Sequence, residues 1–142
     1  MKRTLYEIES QKIESVLPKL TYKIYDSNSD NILFLVENDE QISLYDKLLW
    51  TFSSNKFLPH GIESDDELMK ERILVSKEIK ENYQIIISLK RLEEENLTNF
   101  TQQFFIFNSI NKDHFQQLSK AQLPHNKYFK LLNNNSWQEI AS

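Results

Sequence analysis

Residues 32–36 read Ile32-Leu33-Phe34-Leu35-Val36, an unbroken apolar run. The run is too short for an isolated helix, and a strand with no polar alternation must be covered on both of its faces. Strands of that kind belong to parallel sheets flanked by helices, so this segment alone points to a central parallel strand. Gln84-Ile85-Ile86-Ile87-Ser88-Leu89 repeats the pattern with β-branched residues and is also expected to be central.

The remaining periodicities fill in alternating elements. Thr4-Leu5-Tyr6-Glu7-Ile8 reads as a short first strand. Ile13, Val16, Leu17, Leu20 and Ile24 follow three-and-four spacing and line one helical face. Pro18 falls inside that pattern and predicts a kink or a fresh helix start. Asn38 is a candidate N-cap with Gln41 three residues on, ahead of an apolar stripe of Ile42, Tyr45, Leu48 and Leu49 that ends at Trp50. A loop is expected from Thr51 to about Leu68, acidic at Glu63, Asp65, Asp66 and Glu67, and then a strand at Ile73-Leu74-Val75. Gln103-Phe104-Phe105-Ile106-Phe107 is a further strand. Asp113, Phe115, Leu118 and Lys120 fall in a helix that Pro124 ends or kinks, and Tyr128 to Leu132 is extended before Asn133-Asn134-Asn135.

Alternating strands and helices with covered apolar strands argue for a three-layer α/β domain with a mostly parallel central sheet. At 142 residues and 39% apolar content the chain suffices for one buried core, so residues 1–142 are read as a single domain with no internal repeat. Asparagine is abundant and arginine scarce, a bias read as compositional.

Composition removes whole classes of chemistry. The chain has no cysteine, which excludes thiol nucleophiles, disulfides and iron–sulfur clusters and fits a reducing cytoplasm. Its one glycine, Gly61, cannot supply the close backbone approach that Walker-type and dinucleotide loops need. His60, His114 and His125 are scattered, with no pair at the i, i+4 spacing of a metal-binding helix. Ser53, Ser54, Ser88 and Ser109 lack a nucleophile elbow. Glu93-Glu94-Glu95 reads as solvated surface. No catalytic residue, metal or cofactor is therefore expected, and no segment approaches the ~20 apolar residues that span a bilayer.

Charge is unevenly spread. The formal net charge is -4, yet Lys112, Lys120, Lys127 and Lys130 face only Asp113 and Glu139 after residue 110, giving +2 there and -6 before it. Such a patch suits an acidic peptide better than a long phosphate backbone, although four ordinary solvated lysines would look the same. Leu49-Trp50 followed by Phe57-Leu58-Pro59-His60-Gly61 places two large aromatic surfaces seven residues apart, the second of them in a turn that contains a proline and a glycine. They read either as interface anchors or as side chains that close the helix and loop against the core.

Those same residues, Leu49-Trp50 and Phe57-Leu58-Pro59-His60-Gly61, resemble the signature of the chi subunit family of bacterial DNA polymerase III holoenzyme. Leu5-Tyr6-Glu7-Ile8 is similar to the family's first strand, Val16-Leu17-Pro18-Lys19-Leu20 to its first helix with an internal proline, Ile85-Ile86-Ile87-Ser88-Leu89 to its late central strand, and Trp137 to a tryptophan near its C-terminus. The resemblance implies a Rossmann-like fold without a nucleotide site and a non-catalytic, cytoplasmic replication adaptor. It implies two partners: the psi subunit or an equivalent clamp-loader component, and the acidic C-terminal tail of single-stranded-DNA-binding protein. Trp50, Phe57, Leu58 and Pro59 match the family's psi-facing surface, with His60 fixing the turn. Gln116, Lys120 and Leu123 match its tail pocket, where the family commonly has a lysine, an arginine and an aromatic residue. Lys127 and Tyr128 would partly compensate for those departures, since lysine lacks the bidentate fork of arginine.

Two other readings of the residues stay open. One is a small α/β enzyme with polar residues converging at the C-terminal ends of the parallel strands. The other is a direct single-stranded-DNA binder that stacks bases on Tyr45, Trp50 and Phe57, against which the neighbouring acidic loop argues.

Overall fold

The computed structural model describes residues 1–53, 58–62, 71–89, 92, 94–108 and 127–140. Its elements are strand β1 (Lys2–Glu7), helix α1 (Ser10–Ser27), β2 (Ile32–Leu35), α2 (Asp39–Thr51), β3 (Gly61–Ile62), β4 (Ile73–Ser76), β5 (Ile85–Ser88), a 3-10 turn (Glu94–Leu97), β6 (Gln102–Phe107), β7 (Lys127–Leu131) and β8 (Trp137–Glu139). The strands form one open sheet in the order β3-β4-β2-β5-β6-β1-β7-β8. Every pairing is parallel except the β7–β8 hairpin.

The two apolar runs sit where covered strands belong. β2 lies between β4 and β5, β5 lies between β2 and β6, and all four residues of each are buried. Ile32, Phe34, Ile85 and Ile87 meet Leu17, Leu20 and Leu49 of the helices on one face. Leu33, Leu35 and Ile86 meet Leu97 and Phe100 on the other.

The chain order explains this division. β1, β2 and β3 step across the sheet in one direction, with α1 and α2 on a common face, and β4, β5 and β6 step back. A parallel crossover keeps one hand, so reversing direction must move the connection to the opposite face. The 3-10 turn between β5 and β6 lies there accordingly. The architecture is an α/β fold with a mostly parallel sheet, as the sequence predicts.

α1 differs from expectation at Pro18. The helix runs from Ser10 to Ser27 as one element and does not restart at the proline. Pro18 cannot donate to the carbonyl one turn back. On either side of it, however, Leu17, Leu20 and Ile24 join the same core cluster, and buried Thr21 bonds the Leu17 carbonyl at 2.8 Å. Shared burial of one face carries the helix through.

α2 starts as its sequence predicts. The Asn38 Oδ1 accepts from the Gln41 N–H at 2.9 Å, and the Gln41 side chain returns to accept from the Glu37 N–H at 2.7 Å. Asn38→Ala is expected to cost about 1 kcal/mol by removing this cap, read as a lower urea midpoint with an unchanged slope.

Two short strands were not anticipated. β3 lies inside the segment read as a loop, where Gly61 and Ile62 pair with β4. β8 pairs with β7 through a turn in which Asn135 takes φ 64° and the Asn134 side chain accepts from the Ser136 N–H. Asn82 also has a positive φ, of 72°. Some of the asparagines read as compositional bias therefore occupy backbone positions that asparagine tolerates and most residues do not. Gly61 is not one of the left-handed positions.

Burial of tyrosine couples the fold to alkaline pH. Desolvation pushes the Tyr6 and Tyr45 phenols up to about 12 from the ordinary 10, and the charge of Glu14 adds to the effect at Tyr45. A group whose folded pKa is raised contributes fully below its unfolded pKa and loses that contribution as pH climbs to the folded value. Stability is thus expected to be untouched by these rings up to pH 10 and to fall between 10 and 12. Absorbance at 295 nm, followed beside circular dichroism, should show part of the phenol ionisation arriving only with unfolding.

Candidate interaction site

The C-terminal turn of α2 and the segment entering β3 meet in one cluster. Asp46 and Trp50 are one helical turn apart, which puts them on the same face, and the indole Nε1 donates to Asp46 Oδ1 at 3.2 Å. His60 reaches the same oxygen through Nε2 at 2.8 Å, and the Asp46 carbonyl at 3.1 Å. Its Nδ1 faces the Leu58 carbonyl at 2.9 Å. Both imidazole nitrogens are therefore aimed at oxygens, which accept, and the ring cross-links α2 to the strand entry.

This cluster has a buried base and an open top. His60 is 2% exposed and Leu58 is 0% exposed, packed in the main core. Trp50 packs against His60 with ring centroids 4.6 Å apart and the rings tilted by 41°, and remains 42% exposed. Pro59 is half-buried beside them. Of the residues expected on this surface, Trp50 and Pro59 reach it, Leu58 supports it from the core, and Phe57 lies outside the described residues. Asp46, which holds Trp50 and His60 together, escaped the sequence reading. Its i, i+4 spacing to Trp50 was the available signal.

The second expected site is described only at its edge. Gln116, Lys120 and Leu123 lie outside the described residues. Lys127 is exposed at the start of β7, whereas Tyr128 turns inward and donates to the Glu7 Oε1 at 2.5 Å. Burial, that hydrogen bond and the charge of Glu7 all push the Tyr128 phenol well up. Glu7 is 1% exposed and also faces Lys130 Nζ at 3.5 Å. The alternation in β1 thus does not put its acid in solvent: Leu5 and Glu7 share a buried face.

Polar groups near the ends of the parallel strands are engaged within the protein. Ser76 Oγ donates to the Glu78 carbonyl at 2.8 Å and accepts from the Glu78 N–H at 3.0 Å. Ser88 Oγ accepts from Gln103 at 3.2 Å, and Gln103 Oε1 in turn accepts from Arg3 Nε at 2.6 Å. The first pair closes a local turn after β4, and the second chain of contacts ties β5, β6 and β1 together. Among the described residues no group of three or more histidines and acids could hold a metal ion, and no helix is long and apolar enough to cross a membrane.

A family model described as DNA polymerase III chi subunit, HolC, matches residues 1–128. The chain belongs to the DNA polymerase III chi subunit family. A curated relative from Rickettsia prowazekii (strain Madrid E), "Probable DNA polymerase III subunit chi", is 26% identical over 77 residues, which cover 54% of this chain and 46% of the relative. The alignment thus spans about half the length of that relative. Membership in the chi family ties the chain to DNA replication.

Proposed function

We propose that this chi-family chain is a non-catalytic adaptor of the replication machinery. It joins the clamp loader, through a psi subunit or an equivalent, to the C-terminal tail of single-stranded-DNA-binding protein in the cytoplasm. The observation that carries the reading is Trp50: a large amphipathic ring left 42% exposed while its neighbours are fixed beneath it. Rigid, partly exposed aromatics of this kind are the usual anchors of protein interfaces. Trp50, Phe57 and Pro59 would meet the clamp-loader partner, with Leu58 holding their base. Gln116, Lys120, Leu123 and Lys127 would meet the tail, with buried Tyr128 supporting β7 rather than touching it. Each contact is modest and gains by combination with the other.

Two titrations test this. The psi subunit, or its clamp-loader equivalent, should form a complex with the chain by isothermal titration calorimetry, and absence of any complex would remove that half of the proposal. A labelled tail peptide from the same organism's single-stranded-DNA-binding protein should gain fluorescence polarisation on titration, with added salt and Lys120→Glu each weakening binding. Lack of binding even at low salt would mean that the substitutions at 116, 120 and 123 have dissolved the tail pocket.

A further inference from the structure

The surroundings of His60 ask for two protons on its ring. A neutral imidazole has one N–H and one bare lone pair, so it donates from one nitrogen and accepts at the other. Both contacts here demand a donor. Nδ1 lies 2.9 Å from the Leu58 carbonyl, which only accepts. Nε2 lies 2.8 Å from Asp46 Oδ1 and 3.1 Å from the Asp46 carbonyl. That Oδ1 already accepts from the Trp50 indole N–H at 3.2 Å. The arrangement is therefore complete only when both ring nitrogens carry hydrogen.

A doubly protonated ring is a cation, and the His60 side chain is wholly buried, so the charge needs a partner. Asp46 supplies it from α2. Among the described residues Asp46 is the charged group that faces the ring. Asp39 and Glu40 stand in the first turn of α2, where Asp39 pairs with Lys77 at 3.0 Å, and Lys47 is exposed one position round the helix from Asp46. The strands on the other side bring no charge: β3 is Gly61 and Ile62, and its neighbour β4 is Ile73, Leu74, Val75 and Ser76.

Loss of either proton breaks one of these contacts. The Leu58 carbonyl or Asp46 then faces a bare lone pair at hydrogen-bond distance, and two acceptors repel each other. The strand entry lies on one side of the ring and the anchor of Trp50 on the other, so either break loosens the link between them. We infer that His60, protonated on both nitrogens, is a positioning residue that orients Trp50 through Asp46, so that the surface built on Trp50 is coupled to the ring's proton. The inference rests on the reading of Trp50 as a partner-facing anchor. Raising the pH through the titration of the ring frees the indole and weakens the clamp-loader contact, and lowering it restores both.

The test starts with the free full chain, labelled with nitrogen-15, and a pH series of proton–nitrogen NMR spectra of its imidazole and indole groups. On the acid side of the ring's titration both His60 N–H protons should appear as slowly exchanging signals, since each is buried and bonded. The Trp50 indole N–H should move with the same midpoint as the ring, and that of Trp137 should not follow. Asp46→Asn keeps an acceptor of the same shape but removes the charge, so it should carry the His60 and Trp50 midpoints together to lower pH. Calorimetric titration with the clamp-loader partner should give an affinity about fivefold weaker on the alkaline side of the midpoint than on the acid side, or about 1 kcal/mol. Four results would overturn the inference: a ring with a single protonated nitrogen throughout the range in which the chain is folded, a Trp50 signal that ignores the ring's titration, Asp46→Asn midpoints that do not move, or equal affinity on both sides. Absence of any partner complex at either pH would instead remove the interface reading, and the spectra of the free chain would still decide the positioning of Trp50 by His60.

Discussion

Trp50→Ala is expected to weaken binding of the proposed clamp-loader partner by about 30-fold or more while leaving the chain folded. Central interface aromatics commonly contribute ≥ 2 kcal/mol when truncated, which corresponds to about 30-fold in affinity. The stability cost should be small, because the ring is already 42% exposed and its indole N–H donates to an Asp46 carboxylate that is itself 39% exposed. Loss of an exposed hydrogen bond and some ring contact amounts to about 1 kcal/mol. Calorimetric titration against the partner, with urea unfolding of the same sample, separates the two effects. Unchanged affinity in a folded variant would remove Trp50 from the interface.

Leu58→Ala should reverse that balance. Leu58 is wholly buried in the main core, so truncation removes apolar contact and leaves a cavity, at about 2–5 kcal/mol. Its carbonyl also receives His60, so movement of the backbone there would disturb the base under Trp50. The unfolding midpoint should drop sharply, and any loss of partner binding should scale with the unfolded fraction and recover on cooling toward the temperature of maximum stability. A Leu58→Ala chain that kept full stability but lost the partner would mean that Leu58 touches the partner directly.

The contrast shows how far the sequence was legible. Leu58 and Trp50 lie in one apolar motif, and nothing in their residue types says which faces inward; the His60 cross-link to Asp46 decides it, and that link spans 14 positions. Strands β2 and β5 could be read because an uninterrupted apolar run has few other uses in a domain of this size. The α2 start could be read because capping is local chemistry between Asn38 and Gln41. β8 could not: Trp137-Gln138-Glu139 has no apolar alternation of its own and is strand only because β7 offers it a partner. β3 is two residues long and likewise borrows its conformation, from β4. Of the two outcomes expected at Pro18, a kink or a fresh start, the fresh start is absent, since burial of Leu17, Leu20 and Ile24 on one face holds a single helix through the proline.

The position of β1 in the sheet has a consequence for how the chain is made. β1 is synthesised before either of its neighbours: the Gln103 that receives Arg3 lies 100 positions later and the Tyr128 that caps Glu7 lies 121 positions later. Translation at ~5–20 residues per second leaves β1 without either neighbour for several seconds or more. During that interval its two hydrogen-bonding edges are open to other chains, and its buried acid has no lysine or phenol to meet. Such long-range pairing also slows refolding of the finished chain. A nascent chain halted before β6 should therefore be the aggregation-prone and protease-sensitive species, and release of β7 should be the event that ends its exposure.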